Sequence, residues 1–357
     1  MSTPSTTPEK PAPAPKHADA IRTAVCGLGR IGQPTVEGAL TEHPGFTFVA
    51  GMDNLPERLE LVAKFPDARG YTDYQELLAD PAVELVILAT RSLDHKAMTL
   101  EALAAGKAVL VEKPVTLNLA DTEELLAAAQ HAPGKLLVKH NRRYDAPLVC
   151  AKKALAEGKL GRVVRLQLRC GGYNRRSDWQ TLKEFGGGQL LNWGPHVVDW
   201  ALQIVGAPAR DLWADVRRIS AAGDAEDYFK IVFRGPDGAV ADIEIGGSTL
   251  PQNTWHLIGE HGTLAGDDKQ ARLKYCDPST LAPLTADSGT PATGQGYGNP
   301  DAITWTEETV DLTGDDLAFW ERVYRTVRHG EPFPVTPDDV HETMRILDLA
   351  KQGTPFA

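Results

Sequence analysis

The 357-residue sequence predicts an α/β protein of two domains, and three observations carry that prediction. Strand-like and helix-like segments alternate from Ile21 to about Asn141, as a parallel sheet covered by helices requires. A glycine turn, Gly27-Leu28-Gly29-Arg30-Ile31-Gly32, stands where the first strand meets the first helix. Beyond residue 142 the rhythm changes to a run of strands without intervening helices, which indicates a separate antiparallel or mixed sheet.

Ile21–Gly27 is a short apolar run entering the glycine turn, Ile31–Leu40 reads as a helix, and Phe46–Met52 as the second strand. Thr72-x-x-Gln75 has the capping-box pattern and opens a helix that ends near Asp80. Val83–Ala89 reads as a buried central strand. Met98–Ala105 is helical and stops at Gly106, a residue suited to the position just past a helix end. Ala108–Val111, Asp121–His131 and Lys135–His140 follow as strand, helix and strand. Asp145–Glu157 is a linking helix, Val163–Cys170 a long alternating strand, and Gly194 to Val205 a helix. Asp211–Ser220, Tyr228–Arg234, Ala239–Ile245, Thr254–Gly259 and Arg272–Cys276 read as successive strands, some joined by short turns such as Pro236-Asp237-Gly238. Residues 277–304, rich in Gly, Pro, Ser and Thr, read as a lid or a disordered insertion. Helices over about 315–329 and 337–352 close the chain. The expected organisation is a disordered tail over 1–20, a first α/β domain over 21–141 and a second α/β domain over 142–357.

Composition narrows the function. Apolar residues make up 42% and charged residues 24%, a globular mixture, and the net charge is -11. No basic run offers a surface for nucleic acid, whose phosphates need clustered Lys and Arg. The apolar runs fall far short of the ~20 residues of a membrane span. The first twenty residues lack the apolar core of a secretory signal. Cys26, Cys150, Cys170 and Cys276 are scattered without metal-ligand spacing, so reduced thiols and no metal site are expected. A cytoplasmic enzyme is the expectation.

The turn Gly27-Leu28-Gly29-Arg30-Ile31-Gly32 is a GxGxxG between a strand and a helix. Its glycines permit a tight turn, close approach of backbone to a pyrophosphate, and close helix–strand packing. The helix N-terminus then offers N–H groups and the positive end of its dipole to the phosphates. Asp53 stands at the end of the second strand, where a carboxylate accepts from an adenosine ribose 2′-hydroxyl. That carboxylate favours NAD over NADP, while Arg58 nearby would give a 2′-phosphate a partner. Arg30 and Ile31 in the turn, Thr90, Arg91 and His95 after the Val83–Ala89 strand, and Glu112, Lys113 and Asn141 complete the expected cofactor set of a Rossmann domain.

Glu112-Lys113-Pro114 follows the Ala108–Val111 strand. In an open parallel sheet ligands collect at the carboxyl ends of strands, so Lys113 should point into the cofactor crevice, and the proline holds it extended. Glu112-Lys113-Pro114 resembles the EKP signature of the glucose-fructose oxidoreductase/inositol dehydrogenase family, and Ala104-Ala105-Gly106-Lys107 is similar to the helix end that precedes it there. Asn141-Arg142-Arg143-Tyr144 resembles the family's NRR[FY] segment. Gly186-Gly187-Gly188-Gln189-Leu190-Leu191-Asn192-Trp193-Gly194-Pro195-His196-Val197-Val198-Asp199 resembles its GGGxLxDxGxHxxD signature. The four motifs occur in the family's order, and the resemblance covers about residues 21 to 350.

The resemblance implies a Rossmann domain followed by an α/β domain with a large open sheet, one face toward the cofactor and the other used for homodimers or homotetramers. It makes His196 the acid/base on a substrate hydroxyl and Lys113 its electrostatic partner. The chemistry is coherent: a histidine titrates in the useful range, and an ammonium stabilises a developing alkoxide. The expected activity is NAD(P)-dependent oxidation of a secondary alcohol of a sugar, glycoside or polyol. Redox-neutral glycoside cleavage and a non-catalytic regulator are the alternatives. Tyr173, Asn174 and Trp179, in the loop after the first strand of the second domain, suit a sugar ring. Arg143, with Arg175 or Arg176, suits a substrate carboxylate or phosphate. Where the family has aspartate this chain has Asn192, four residues before His196; a neutral amide cannot stabilise imidazolium, so His196 should start as a better-populated neutral base.

Overall fold

The apolar runs between Ile21 and Val138 build the expected parallel sheet. The computed structural model describes residues 15–250, 252–283, 303–315 and 317–357. Strands β1 (Ile21–Cys26), β2 (Phe46–Met52), β3 (Arg69–Tyr71), β4 (Leu85–Leu88), β5 (Ala108–Val111) and β6 (Leu136–Val138) lie in the order β3-β2-β1-β4-β5-β6. Every pairing is parallel. All residues of β4 and β5 are buried, because a parallel sheet is covered on both faces. The order reverses between β1 and β4, so the turns after these strands border the crevice in which doubly wound sheets hold ligands.

Helical segments connect these strands: α1 (Gly32–Pro34, continued as a π-helix over Thr35–Leu40), a 3-10 helix over Pro56–Lys64 that carries Arg58, α2 (Tyr74–Ala79), α3 (His95–Ala104, preceded by a 3-10 turn over Ser92–Asp94) and α4 (Leu119–Ala129). The residue that caps α2 is Asp73, not Thr72: its carboxylate accepts from the N–H groups of Gln75 and Glu76. Helix α3 begins at His95 rather than Met98, and its start lacks a side-chain cap that would have marked it. Strand β3 also has no sequence signal, since Arg69–Tyr71 has no buried residue and sits at the sheet edge.

The later strands are β7 (Val163–Gly171), β8 (Arg210–Arg217), β9 (Tyr228–Arg234), β10 (Val240–Ile245), β11 (Gln252–Gly259), β12 (Gly262–Gly266), β13 (Gln270–Tyr275) and β14 (Thr306–Asp311). They form one sheet in the order β14-β13-β12-β11-β7-β10-β9-β8. Only β7 and β10 pair in parallel, so the sheet is mixed. Strand alternation splits its faces. Leu166, Leu168, Phe229, Ile231, Phe233, Ile243 and Leu257 are buried on one. On the other, Arg169 pairs with Asp242 at 3.0 Å and Glu244 at 3.1 Å, and Lys230 with Asp242 at 3.3 Å. Two strands lack the sequence signal of the others: β12 is bounded by glycines, and β14, an edge strand, is half charged with Val310 its one apolar residue.

Helices α5 (Ala146–Ala156), α6 (Gln189–Asn192), α7 (Gly194–Val205), α8 (Ala318–His329) and α9 (Pro337–Lys351) are the remaining α-helices among the described residues. Contacts divide the chain into two units that interleave in sequence. The first takes residues up to Asn141 with 182–195 and 315–348; the second takes 142–181, 196–314 and 349–357. Helix α8 therefore packs with the parallel sheet: Trp320 and Tyr324 meet the Phe46 ring edge-on at 5.7 and 6.3 Å, and Arg328 pairs with Glu84 at 3.1 Å. Of the segment expected to be a tail, the described part is tied to this unit, with the Lys16 ammonium donating to the carbonyls of Leu40, Thr41 and His43. Most of the 277–304 segment lies outside the described residues.

Candidate active site and nucleotide turn

Steric demand shapes the turn after β1. Gly27 has φ +86°, and a Cβ there would lie 2.6 Å from the Ala89 carbonyl oxygen. A Cβ on Gly32 would lie 1.9 Å from the Gly27 carbonyl oxygen, so α1 can start this close to the strand only without a side chain. Arg30 and Ile31 are exposed at the crest and Leu28 is buried. This cradle fits a dinucleotide pyrophosphate, which needs backbone approach unobstructed by Cβ atoms.

Asp53 lies directly after β2, and its carboxylate faces the turn. It accepts from the N–H of Leu28 at 2.8 Å and of Leu55 at 3.0 Å, and from the Arg58 guanidinium at 3.2 Å. Its side chain is 2% exposed, whereas that of Arg58 is 45% exposed. Arg58 leans against Gly29, 3.3 Å from where a Cβ would stand. The carboxylate expected to face a ribose thus locks the glycine turn, and the exposed group beside it is a guanidinium.

The turns after β4 and β5 are built from side chains. Thr90 follows β4, and its hydroxyl donates to the Met98 sulfur at 3.6 Å. The exposed Arg91 stacks its guanidinium 5.0 Å from the Phe185 ring centre. His95 opens α3 and is 1% exposed; its Nδ1 lies 2.7 Å from the Pro114 carbonyl oxygen. A carbonyl only accepts, so Nδ1 carries the proton. Burial pushes this imidazole below its ordinary pKa, against the Pro114 carbonyl, the Glu112 carboxylate and the Thr90 carbonyl, which favour the proton.

Glu112 and Lys113 leave β5 in different directions. Glu112 accepts from the Lys139 ammonium at 2.6 Å, with side chains 12% and 10% exposed. Burial alone would raise the Glu112 carboxyl, but the Lys139 charge and hydrogen bond outweigh it and hold it below the usual carboxylate range. The Lys113 ammonium donates to the Asn192 carbonyl at 2.7 Å and lies 3.5 Å from its side-chain oxygen. The glycine run before α6 permits this: a Cβ on Gly186, at φ +69°, would stand 2.4 Å from Leu117, just past the lysine turn. Asn141 is exposed and opens a short turn over Asn141–Tyr144.

In the second unit, His196 sits in the first turn of α7 and is 7% exposed. Arg143 is also 7% exposed, and its Nε donates to Asp199 at 2.8 and 3.1 Å while Nη2 donates to the same carboxylate. That bidentate pair, one helical turn beyond His196, commits Arg143 to orienting α7. Tyr173 is 50% exposed. The Asn174 carbonyl accepts from the Ser220 hydroxyl at 2.9 Å, and Trp179 opens a short turn over Trp179–Thr181. Arg176 is held by Asp178 at 2.7 Å. The backbones of Arg176 and Thr181 bond Ala222, Asp224 and Ala225, which zips this loop to the one between β8 and β9.

Sequence reasoning missed Lys139, and it named Asp199 only as the last residue of the glycine-rich signature segment, without its partner Arg143; in both pairs the partner lies far off in the chain. No cluster of three or more potential metal ligands occurs among the described residues. No described helix is long and apolar enough to cross a membrane.

Comparison with known proteins identifies the family. Residues 21–140 match the model of an oxidoreductase family with an NAD-binding Rossmann fold, and 149–265 match the GFO/IDH/MocA C-terminal domain. The chain is 29% identical over 354 residues, 95% of each protein, to scyllo-inositol 2-dehydrogenase (NADP(+)) IolW of Bacillus subtilis. It is 30% identical to myo-inositol 2-dehydrogenase of Thermotoga maritima over 63% of this chain and 68% of that one. The solved structure of GenD2 from gentamicin A biosynthesis in complex with NAD superposes with a TM-score of 0.73 at 27% identity, covering 96% of this chain and 98% of that one. The chain belongs to the GFO/IDH/MocA family of oxidoreductases with an NAD-binding Rossmann fold.

Proposed function

We propose that the protein is an NAD(P)-dependent dehydrogenase that moves a hydride between nicotinamide and a secondary alcohol of a sugar, glycoside or polyol. The observation that carries the reading is Lys113, a part-buried ammonium delivered by the turn after a central strand and fixed on Asn192. The nucleotide, when bound, supplies the hydride acceptor. His196 takes the hydroxyl proton as hydride leaves the same carbon, and Lys113 stabilises the developing alkoxide. Two relatives named as inositol dehydrogenases support a polyol substrate. Tyr173, Asn174 and Trp179 would supply the faces and hydrogen bonds for a polyhydroxylated ring. Residues 21–141 would hold the nucleotide, with Thr90, Arg91 and Asn141 along its crevice, and 142–357 would carry substrate and assembly into a homodimer or homotetramer. The exposed Arg58 beside the glycine turn supports NADP as well as NAD.

The test is a panel of inositols, sugars and glycosides offered with NAD and NADP separately, reading both reduced nicotinamide and product identity. A ketone product with equimolar reduced nucleotide is expected. Cleaved glycoside without net reduction, or nucleotide binding without turnover, would replace the dehydrogenase reading with the redox-neutral or regulatory one. Asn192→Asp should move the acidic limb of the pH–rate profile upward, because a carboxylate would favour protonated His196. An unmoved limb would refute the role assigned to Asn192.

A further inference from the structure

The turn that presents Lys113 is pinned at three points. The Glu112 carboxylate is held by Lys139, the Lys113 ammonium by the Asn192 carbonyl, and the Pro114 carbonyl by His95. The first two contacts involve the ends of flexible side chains. The third grips the backbone itself, one residue beyond the lysine, through a ring that is 1% exposed. His95 thus lies behind the crevice wall rather than on its surface. Its Nδ1 proton is committed to Pro114, and its Nε2 is buried with no hydrogen-bond partner among the described residues.

We infer that His95 is a positioning residue: as the neutral Nδ1–H tautomer it holds the Pro114 carbonyl and thereby sets where the Lys113 ammonium is presented, without touching nucleotide or substrate. The inference rests on the proposed role of Lys113. It differs from the sequence-based expectation that His95 contacts the cofactor. A histidine that only filled space would serve as well with a leucine. One that touched the nucleotide would act through binding. A backbone clamp acts through a single donor at a fixed reach from Cβ, and Asn places an amide N–H at the same number of bonds as Nδ1, whereas Gln places it one bond further out.

The experiment compares His95→Asn, His95→Gln and His95→Leu in the full chain. It reads NAD and NADP affinity, kcat and KM on the polyol found by the panel, and the rate at which Lys113 is acylated by an amine reagent, located by mass spectrometry. Asn should keep kcat within a few-fold of the original. Gln and Leu should lose kcat on the order of 10²-fold, the scale of a misplaced reacting group, with KM and nucleotide affinity nearly unchanged. Lys113 should be acylated at the original rate in the Asn variant and at a changed rate in the other two. Equal losses in all three variants, or a loss confined to nucleotide affinity, would overturn the inference. The acylation rates need no substrate: if no polyol is turned over they still decide the His95 clamp, and if turnover is robust but acylation is flat across the series, only the clamp fails. Should Leu not fold, the contrast between Asn and Gln decides alone.

Discussion

The turn after β1 and the turn after β5 leave the same end of one parallel sheet, and they are fixed by opposite means. The first is shaped by what its residues lack: Gly27 and Gly32 stand where any Cβ would strike backbone. The second is shaped by what distant residues bring to it, from Lys139, Asn192 and His95. A turn of the first kind cradles a phosphate that approaches the backbone. One of the second kind aims a single charged side chain. Breaking either should therefore have a different signature.

The largest effect should come from Lys113→Ala. Removing a preorganised cationic donor costs on the order of 10²–10³-fold in kcat, measured in steady state with nucleotide saturating. Turnover within tenfold of the original would remove Lys113 from the chemistry. On the first turn, Gly32→Ala should cost about 1–3 kcal/mol of stability by overpacking and weaken nucleotide binding with it. Gly38, further along the same helical segment, has nothing within 4 Å of its Cβ position. Gly38→Ala should be neutral or gain up to about 1 kcal/mol, and urea unfolding with nucleotide titration on both variants checks the contrast.

Arg58→Ala should lower the preference for NADP relative to NAD by roughly 10-fold to 100-fold, the value of a charge-assisted hydrogen bond. An unchanged ratio of kcat/KM for the two nucleotides would leave Arg58 as the counter-ion of Asp53 alone. The smallest effect concerns His95 and pH. Burial lowers its folded pKa, so below the ordinary histidine value of about 6.5 the unfolded chain binds the proton first. Its contribution to stability is complete above that pH and is lost as pH falls toward the lowered folded value. Urea midpoints against pH should fall more steeply on the acid side for the original than for His95→Asn; parallel curves would mean that burial does not perturb His95.

The same contrast explains what was legible in the sequence. Gly27, Gly29 and Gly32 announce themselves because the requirement lies in the residue type at a fixed spacing. Lys113 was legible from its place after a buried strand. The supports of the second turn were not, because Glu112 meets Lys139 and Lys113 meets Asn192 only once the chain has folded. Asp53 shows the limit even at short range: spacing located the carboxylate, but not that it would turn onto the Leu28 N–H and leave Arg58 exposed. Arg143, expected to meet substrate, is held by Asp199 on α7, a partner that no motif spacing connects to it. The parallel sheet was legible from its apolar runs. Strand β14 was not, because the charged edge that protects a sheet from pairing also erases the strand's hydrophobic pattern.

The most direct measurement follows a label. A polyol that the panel identifies, deuterated at the carbon that bears the reacting hydroxyl, is turned over with NAD or NADP, and the recovered nucleotide is analysed by mass spectrometry. Accumulation of reduced nucleotide carrying one deuterium per ketone formed is the predicted result, with its formation slowed on the order of 10²–10³-fold in Lys113→Ala. Product that forms while the recovered nucleotide stays oxidised and unlabelled would contradict net hydride transfer.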